Sequence, residues 1–306
     1  MKTAFLSTSD RALPVLEALN KNPKLVLCIT KTDVKVGRDH RLKENEIKLW
    51  CRANNTSCLQ IETLKNEDLK KVIEQLDYSK PDLILVIDFG VFIPEEIINK
   101  YRGKIVNIHF SLLPKYRGAS PAQFAILNGD ETTGVTFQLV ENKLDSGDIL
   151  KQYEYKIPNN ITSGLLYEKL FLLTAEKLSE FLKDFENGKL TPLPQDESKA
   201  IYTYSKTHPK STLIYKEDAY TDFSETPLTL ERKVRAFNPW PIVWTHVGNL
   251  ERLGFKLKPA VNRNLTLKIY KCEVEPSSRL NLIEVQVEGK NKMSWKDFCN
   301  GYLATD

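Results

Sequence analysis

Asn107 and His109 stand two residues apart inside an apolar run, KIVNIHF, at residues 104–110. Successive side chains of a strand point to opposite faces. Val106, Ile108 and Phe110 then face the packed side of a sheet, and Asn107 and His109 face the other side together. An amide beside an imidazole can stabilise an oxyanion and move a proton. A satisfied polar pair within the core is the alternative for the same two residues. The following stretch, Ser111-Leu112-Leu113-Pro114, favours a site, because it leaves the strand without turning directly into a helix. Pro114 fixes φ and removes a backbone donor. Arg117-Gly118 and Ser120-Pro121 prolong the loop, and long loops in α/β domains are more often functional than accidental. Lys115 and Arg117 also read as solvated charges, and Gly118 as a turn residue.

The third group lies in ENKLDSGDI at residues 141–149, where Asp145 and Asp148 flank the turn signal Ser146-Gly147. Carboxylates in such turns commonly just cap and solvate them. Brought beside His109, however, Asp145 would hold one tautomer and favour the charged ring. The three groups suit acyl transfer: an amine attacks a carbonyl, a tetrahedral intermediate forms, and the leaving nitrogen receives a proton. The segment holds no cysteine and no G-x-S-x-G elbow, so direct transfer is expected rather than covalent catalysis. G-x-G-x-x-G, P-loop and H-E-x-x-H motifs are absent, and the four histidines are scattered, so no metal site is expected.

These residues need a scaffold, and the first half supplies an alternation of strands and helices. Strands are predicted at 2–7, 24–30, 82–88 and 104–110, with helices at 11–20, 44–54, 66–76 and 94–100. Continuous apolar strands between helices indicate βαβ units and a parallel sheet covered on both faces. Open sheets of this kind place ligands at the carboxyl ends of their strands, where Asn107 and His109 fall. A helix at 122–127, strands at 135–140 and 149–157, and a long helix at 163–185 follow. The polar, proline-bearing stretch 190–205 reads as a linker between a domain at 1–189 and another at 206–306. The second domain offers short strands at 242–247, 265–274 and 282–287, as in a small β-barrel.

Hydrophobic residues make up 41% and charged residues 27%, which excludes a disordered chain. The five cysteines are odd in number and lack C-x-x-C spacing, so free thiols in a reducing compartment are expected. With no signal peptide and no membrane span in the sequence, the expected location is the cytoplasm. Residues 206–306 carry 16 basic and 12 acidic side chains, leaving 28 of each for the rest. The net charge of +4 thus resides in the C-terminal third, compatible with a polyanionic partner.

The motifs Asn107-x-His109, Ser111-Leu112-Leu113-Pro114, Arg117-Gly118-Ala119 and Leu144-Asp145-x-Gly147-Asp148, in that order, resemble those of the folate-dependent formyltransferases. The likeness runs through most of residues 1–190. The run LERKVRAFNPWP at 230–241 resembles the opening of the C-terminal domain in the branch that acts on methionyl-tRNA. The resemblance implies a Rossmann-like formyltransferase domain followed by a small OB-like β-barrel domain. It implies 10-formyltetrahydrofolate as formyl donor and no metal, with Asn107, His109 and Asp145 catalytic. Ser111, Leu112, Leu113 and Pro114 would line the folate site, with Phe89 and Gly90 near the pterin, beside an unusual carboxylate at Asp88. Initiator methionyl-tRNA would be the acceptor and the partner of a monomer, with a sugar-nucleotide amine as the alternative acceptor. A basic loop, residues 31–43, would contact the tRNA through Arg38, Arg41 and Lys43.

Overall fold

The computed structural model describes residues 1–21, 24–36 and 41–304. In chain order the elements are β1 (Lys2–Leu6), α1 (Leu13–Asn20), β2 (Lys24–Lys31), β3 (Val34–Val36), β4 (Arg41–Lys43), α2 (Glu46–Ala53), β5 (Cys58–Ile61) and α3 (Asn66–Ser79). β6 (Leu83–Ile87), α4 (Glu95–Lys100), β7 (Ile105–His109), α5 (Pro121–Asn128), β8 (Thr132–Leu139), β9 (Ile149–Lys156) and α6 (Ser163–Glu186) come next. The chain ends with α7 (Pro227–Ala236), β10 (Val243–His246), β11 (Thr266–Val274), β12 (Leu280–Val287), β13 (Met293–Ser294) and α8 (Trp295–Tyr302).

The chain divides into two compact units. The first comprises Met1–Arg117, Gly134–Tyr155 and Glu168–Ile201. Its sheet has the order β5-β2-β1-β6-β7-β8-β9. β2, β1, β6 and β7 pair in parallel with their neighbours, as expected, but β8 runs antiparallel to β7. The sheet is therefore mixed. β6 is LILVI with all five side chains buried, as a central strand covered on both faces requires. Ala4, Leu6, Ile29, Ile84 and Ile105 form one buried cluster with Val72 and Leu76 of α3 and Ile97 and Ile98 of α4. The alternate residues Phe5, Leu85 and Val106 are equally buried. Each fully buried aliphatic side chain contributes about 1.5–3 kcal/mol to holding these layers together.

Local signals fix the ends of helices. Asn45 caps α2, accepting from the backbone N–H of Ile47 at 3.0 Å and Lys48 at 3.2 Å. Pro121 opens α5 and Gly129, at φ 72°, closes it. The basic stretch after β2 includes a two-stranded antiparallel ribbon, β3–β4. Arg41 and Lys43 are exposed on its second arm, and Arg38 lies outside the described residues.

The second unit comprises Gly118–Thr133, Lys156–Tyr167 and Tyr202–Asp306. Its sheet is antiparallel, in the order β10-β11-β12-β13. The chain thus holds a parallel-dominated α/β sheet and a small antiparallel sheet, and segments 118–133 and 156–167 belong with the second. Within the second unit α7 packs against α5 and β11. The run 230–241 supplies that packing: Leu230, Val234, Ala236 and Phe237 are buried, and Arg235 pairs with Glu231 at 2.5 Å. Among the described residues, no helix is long and apolar enough to cross a membrane.

Candidate active site

β7 and β8 build a polar row across their shared face. Asn107 lies opposite Gln138, and His109 opposite Thr136. Directly paired residues of neighbouring strands share a face, so all four side chains emerge together at the carboxyl end of β7. Val106, Ile108 and Phe110 are buried on the opposite side, as the alternation predicts.

Thr136 is fully buried and organises the loop after β7. Its hydroxyl donates to the carbonyl of Ser111 at 2.6 Å and accepts from the N–H of Leu113 at 3.2 Å and from Gln152 at 2.8 Å. Ser111 in turn donates to the carbonyl of Lys115 at 2.5 Å. The loop is thereby folded back so that the carbonyl of Tyr116 reaches Nε2 of His109 at 2.8 Å. A carbonyl oxygen carries no proton, so Nε2 must donate. In the neutral ring Nδ1 then holds the lone pair, and Nδ1 is the nitrogen that exchanges protons.

Asp145 approaches that nitrogen, with Oδ2 lying 3.7 Å from Nδ1. This separation is too long for a hydrogen bond but close for an ion pair with a protonated ring. The carbonyl of Tyr116, rather than Asp145, therefore sets the tautomer in this structure. Oδ1 of Asp145 accepts from Gln138 at 3.0 Å and, over a long contact of 3.4 Å, from Asn107. His109 is 6% and the Asp145 side chain 11% exposed, so the charge interactions here are poorly screened. The Asp145 turn is closely packed: a Cβ on Gly147 would sit 1.8 Å from the carbonyl oxygen of Leu139.

A cavity of about 160 Å³ opens onto Asn107 and Asp145, and His109 stands behind them without lining it. Asn107, Gln138 and Asp145 are among its polar lining, and Phe89, Ile93 and Val140 among its apolar lining. Among the expected folate residues, Phe89 lines this cavity; Gly90 and Ser111–Pro114 do not. Gly90 instead donates its N–H to Thr8 Oγ1 at 3.0 Å, and Thr8 donates to the carbonyl of Asp88 at 3.1 Å. The first βα turn thus clamps the loop after β6. The unusual carboxylate of Asp88 is ion-paired with Arg11 at 2.8 Å. A larger cleft, about 790 Å³, lies in the second unit. Its lining includes the paired Glu231 and Arg235, and nothing there matches an acyl-transfer set. Among the described residues no group of three or more His, Cys, Asp or Glu could hold a metal ion.

Two family models match the chain: one described as formyl transferase over residues 1–182, and one described as formyl transferase, C-terminal domain, over 213–303. The chain belongs to the formyl transferase family. The methionyl-tRNA formyltransferase of Lactobacillus johnsonii is 32% identical over 307 residues, covering 97% of this chain and 94% of that protein. That of Clostridium novyi is 32% identical over 246 residues, covering 80% of this chain and 76% of the relative. The structure of the methionyl-tRNA formyltransferase from Clostridium thermocellum shares the fold, with a TM-score of 0.60 at 14% identity over 94% of this chain and 98% of that one. An N-formyltransferase structure from Helicobacter canadensis matches with a TM-score of 0.58 at 20% identity, over 90% of this chain and 89% of that one.

Three residues of this formyl transferase's site, Thr136, Gln138 and Gln195, are not among those expected from sequence. The first two had a signal, because TFQL alternates polar and apolar side chains along β8. Gln195 had none. It stands in the stretch expected to be a linker, yet its Nε2 lies 2.9 Å from the carbonyl of Asp145.

Proposed function

We propose that this formyltransferase carries a formyl group from 10-formyltetrahydrofolate to the free amino group of initiator methionyl-tRNA. The observation that carries the acceptor is likeness to methionyl-tRNA formyltransferases along nearly the whole chain, C-terminal run included. A pocket with one aromatic-lined side and one amide-and-carboxylate side suits a flat, polar-edged pterin. The exposed Lys210, Lys216, Lys271, Lys290 and Lys292 of the second unit suit a phosphate backbone, as do Arg41 and Lys43 on β4. Arg38 is proposed for the same role from the sequence alone. The protein acts as a cytoplasmic monomer, with residues 1–189 catalytic and 206–306 binding tRNA.

In the proposed reaction the methionyl nitrogen bonds to the formyl carbon, and the formyl oxygen becomes an oxyanion. Asn107 Nδ2–H and the protonated His109 stabilise it. Asp145 supports the imidazolium charge. Collapse breaks the bond to the folate nitrogen, which takes a proton, while the attacking amine gives one up. His109 Nδ1 is the group placed to move that proton, because Nε2 is committed to Tyr116. The test is a transfer assay with formyl-labelled donor and two acceptors, charged initiator tRNA and amino-sugar nucleotides. Label on the methionyl-tRNA is the expected result. Label on a sugar alone would refute the acceptor and leave the donor and reaction type standing.

A further inference from the structure

Arg117 has no solvent exposure at all, and a buried guanidinium persists only with closely placed acceptors. Two of them come from one short segment. Arg117 donates through Nε and Nη2 to Gln195 Oε1, at 3.0 and 2.9 Å, and through Nη2 to Glu197 Oε1 at 2.7 Å. A guanidinium cannot accept, so the oxygen of the Gln195 amide must face Arg117, and its nitrogen must face away. That nitrogen donates to the carbonyls of Asp145 at 2.9 Å and Gly147 at 2.8 Å, and lies 3.2 Å from Gln138 Oε1. Gln138 then holds the Asp145 carboxylate from its other end. Glu197 takes Lys143, in the same turn, at 2.5 Å.

Residues 195–197 therefore strap the 143–147 turn to a buried charge. The turn needs such a hold. Asp145 sits at φ 48°, a left-handed conformation that a non-glycine residue keeps only where its surroundings impose it. The carbonyls on which Gln195 pulls belong to that residue and to the one two further on.

We propose that Gln195, oriented by Arg117, is a positioning residue that holds Asp145 in the backbone conformation aiming its carboxylate at Asn107 and His109. This rests on the reading that Asp145 belongs to the catalytic set. The test compares Gln195→Ala and Gln195→Glu in the full chain, each with and without Asp145→Asn, by steady-state formyl transfer with both substrates varied. Gln195→Glu keeps shape and the oxygen facing Arg117 but turns an anionic oxygen, with no N–H, toward the two carbonyls, so it tests the polar hold on the turn and not packing. Both Gln195 variants should lose about tenfold to a hundredfold in kcat, the scale of a misplaced catalytic group, with both KM values within about twofold. Once Asp145→Asn is present, either change should cost less than about twofold more, because coupled residues do not add. Unchanged kcat in both Gln195 variants, or an undiminished loss on top of Asp145→Asn, would overturn the proposal alone. Near-normal turnover by Asp145→Asn itself would instead overturn the catalytic reading on which it rests.

Discussion

Thr136 shows how much of the candidate site hangs on single buried atoms. One hydroxyl serves a carbonyl, a backbone N–H and a side-chain amide. Thr136→Val keeps the shape and removes all three bonds. It should cost about 2–3 kcal/mol, because buried partners left unsatisfied pay their desolvation in full. Urea unfolding would measure this, and a loss under about 0.5 kcal/mol would mean the loop holds itself. Asn107 and His109 were readable as residues because alternation on a buried strand leaves two polar side chains no other face to share. The tautomer of His109 was not readable. It depends on the Tyr116 carbonyl, seven residues on, being turned back by a hydroxyl from another strand.

At the level of elements, segments with a strong apolar pattern were legible and those without one were not. β6 follows from a continuous apolar run and β7 from one interrupted by Asn107 and His109, whereas β5, Cys58–Ile61, and the ribbon β3–β4 show no apolar period. The antiparallel β8 could not be told from a parallel strand by composition, since direction is a property of pairing. The 195–197 strap was illegible for a different reason: its polar residues satisfy groups distant in sequence, and alone they look like solvated linker. The strap also has a pH signature. Arg117 and Lys143 hold the Glu197 carboxyl down at about 2, against an ordinary 4.5. The folded state binds fewer protons there than the unfolded chain between those values. The stabilisation is therefore complete above pH 4.5 and is lost as pH falls toward 2. Glu197→Gln should lose stability less steeply than the parent across that window in acid-unfolding curves. Parallel curves would show that these ion pairs contribute nothing to folding.

For the whole molecule, the proposed reaction needs a place for a small donor and one for a large polyanion. A buried, amide-lined site in the first unit suits a small donor, while exposed cations on β4 and on the second unit suit a large polyanion. Arg41→Ala with Lys43→Ala should raise the KM for tRNA and leave that for the folate donor unchanged. The slope of log affinity against log salt should become shallower by about one for each phosphate no longer neutralised. An unaltered salt slope would remove this ribbon from the tRNA interface. Formyl transfer to methionyl-tRNA at Asn107 and His109 is tested most directly by single-turnover transfer of labelled formyl from 10-formyltetrahydrofolate. The parent should label methionyl-tRNA, and His109→Ala and Asn107→Ala should each do so about 10²–10³ times more slowly, the usual effect of removing an oxyanion donor. Transfer at the parent rate by either variant would contradict the account.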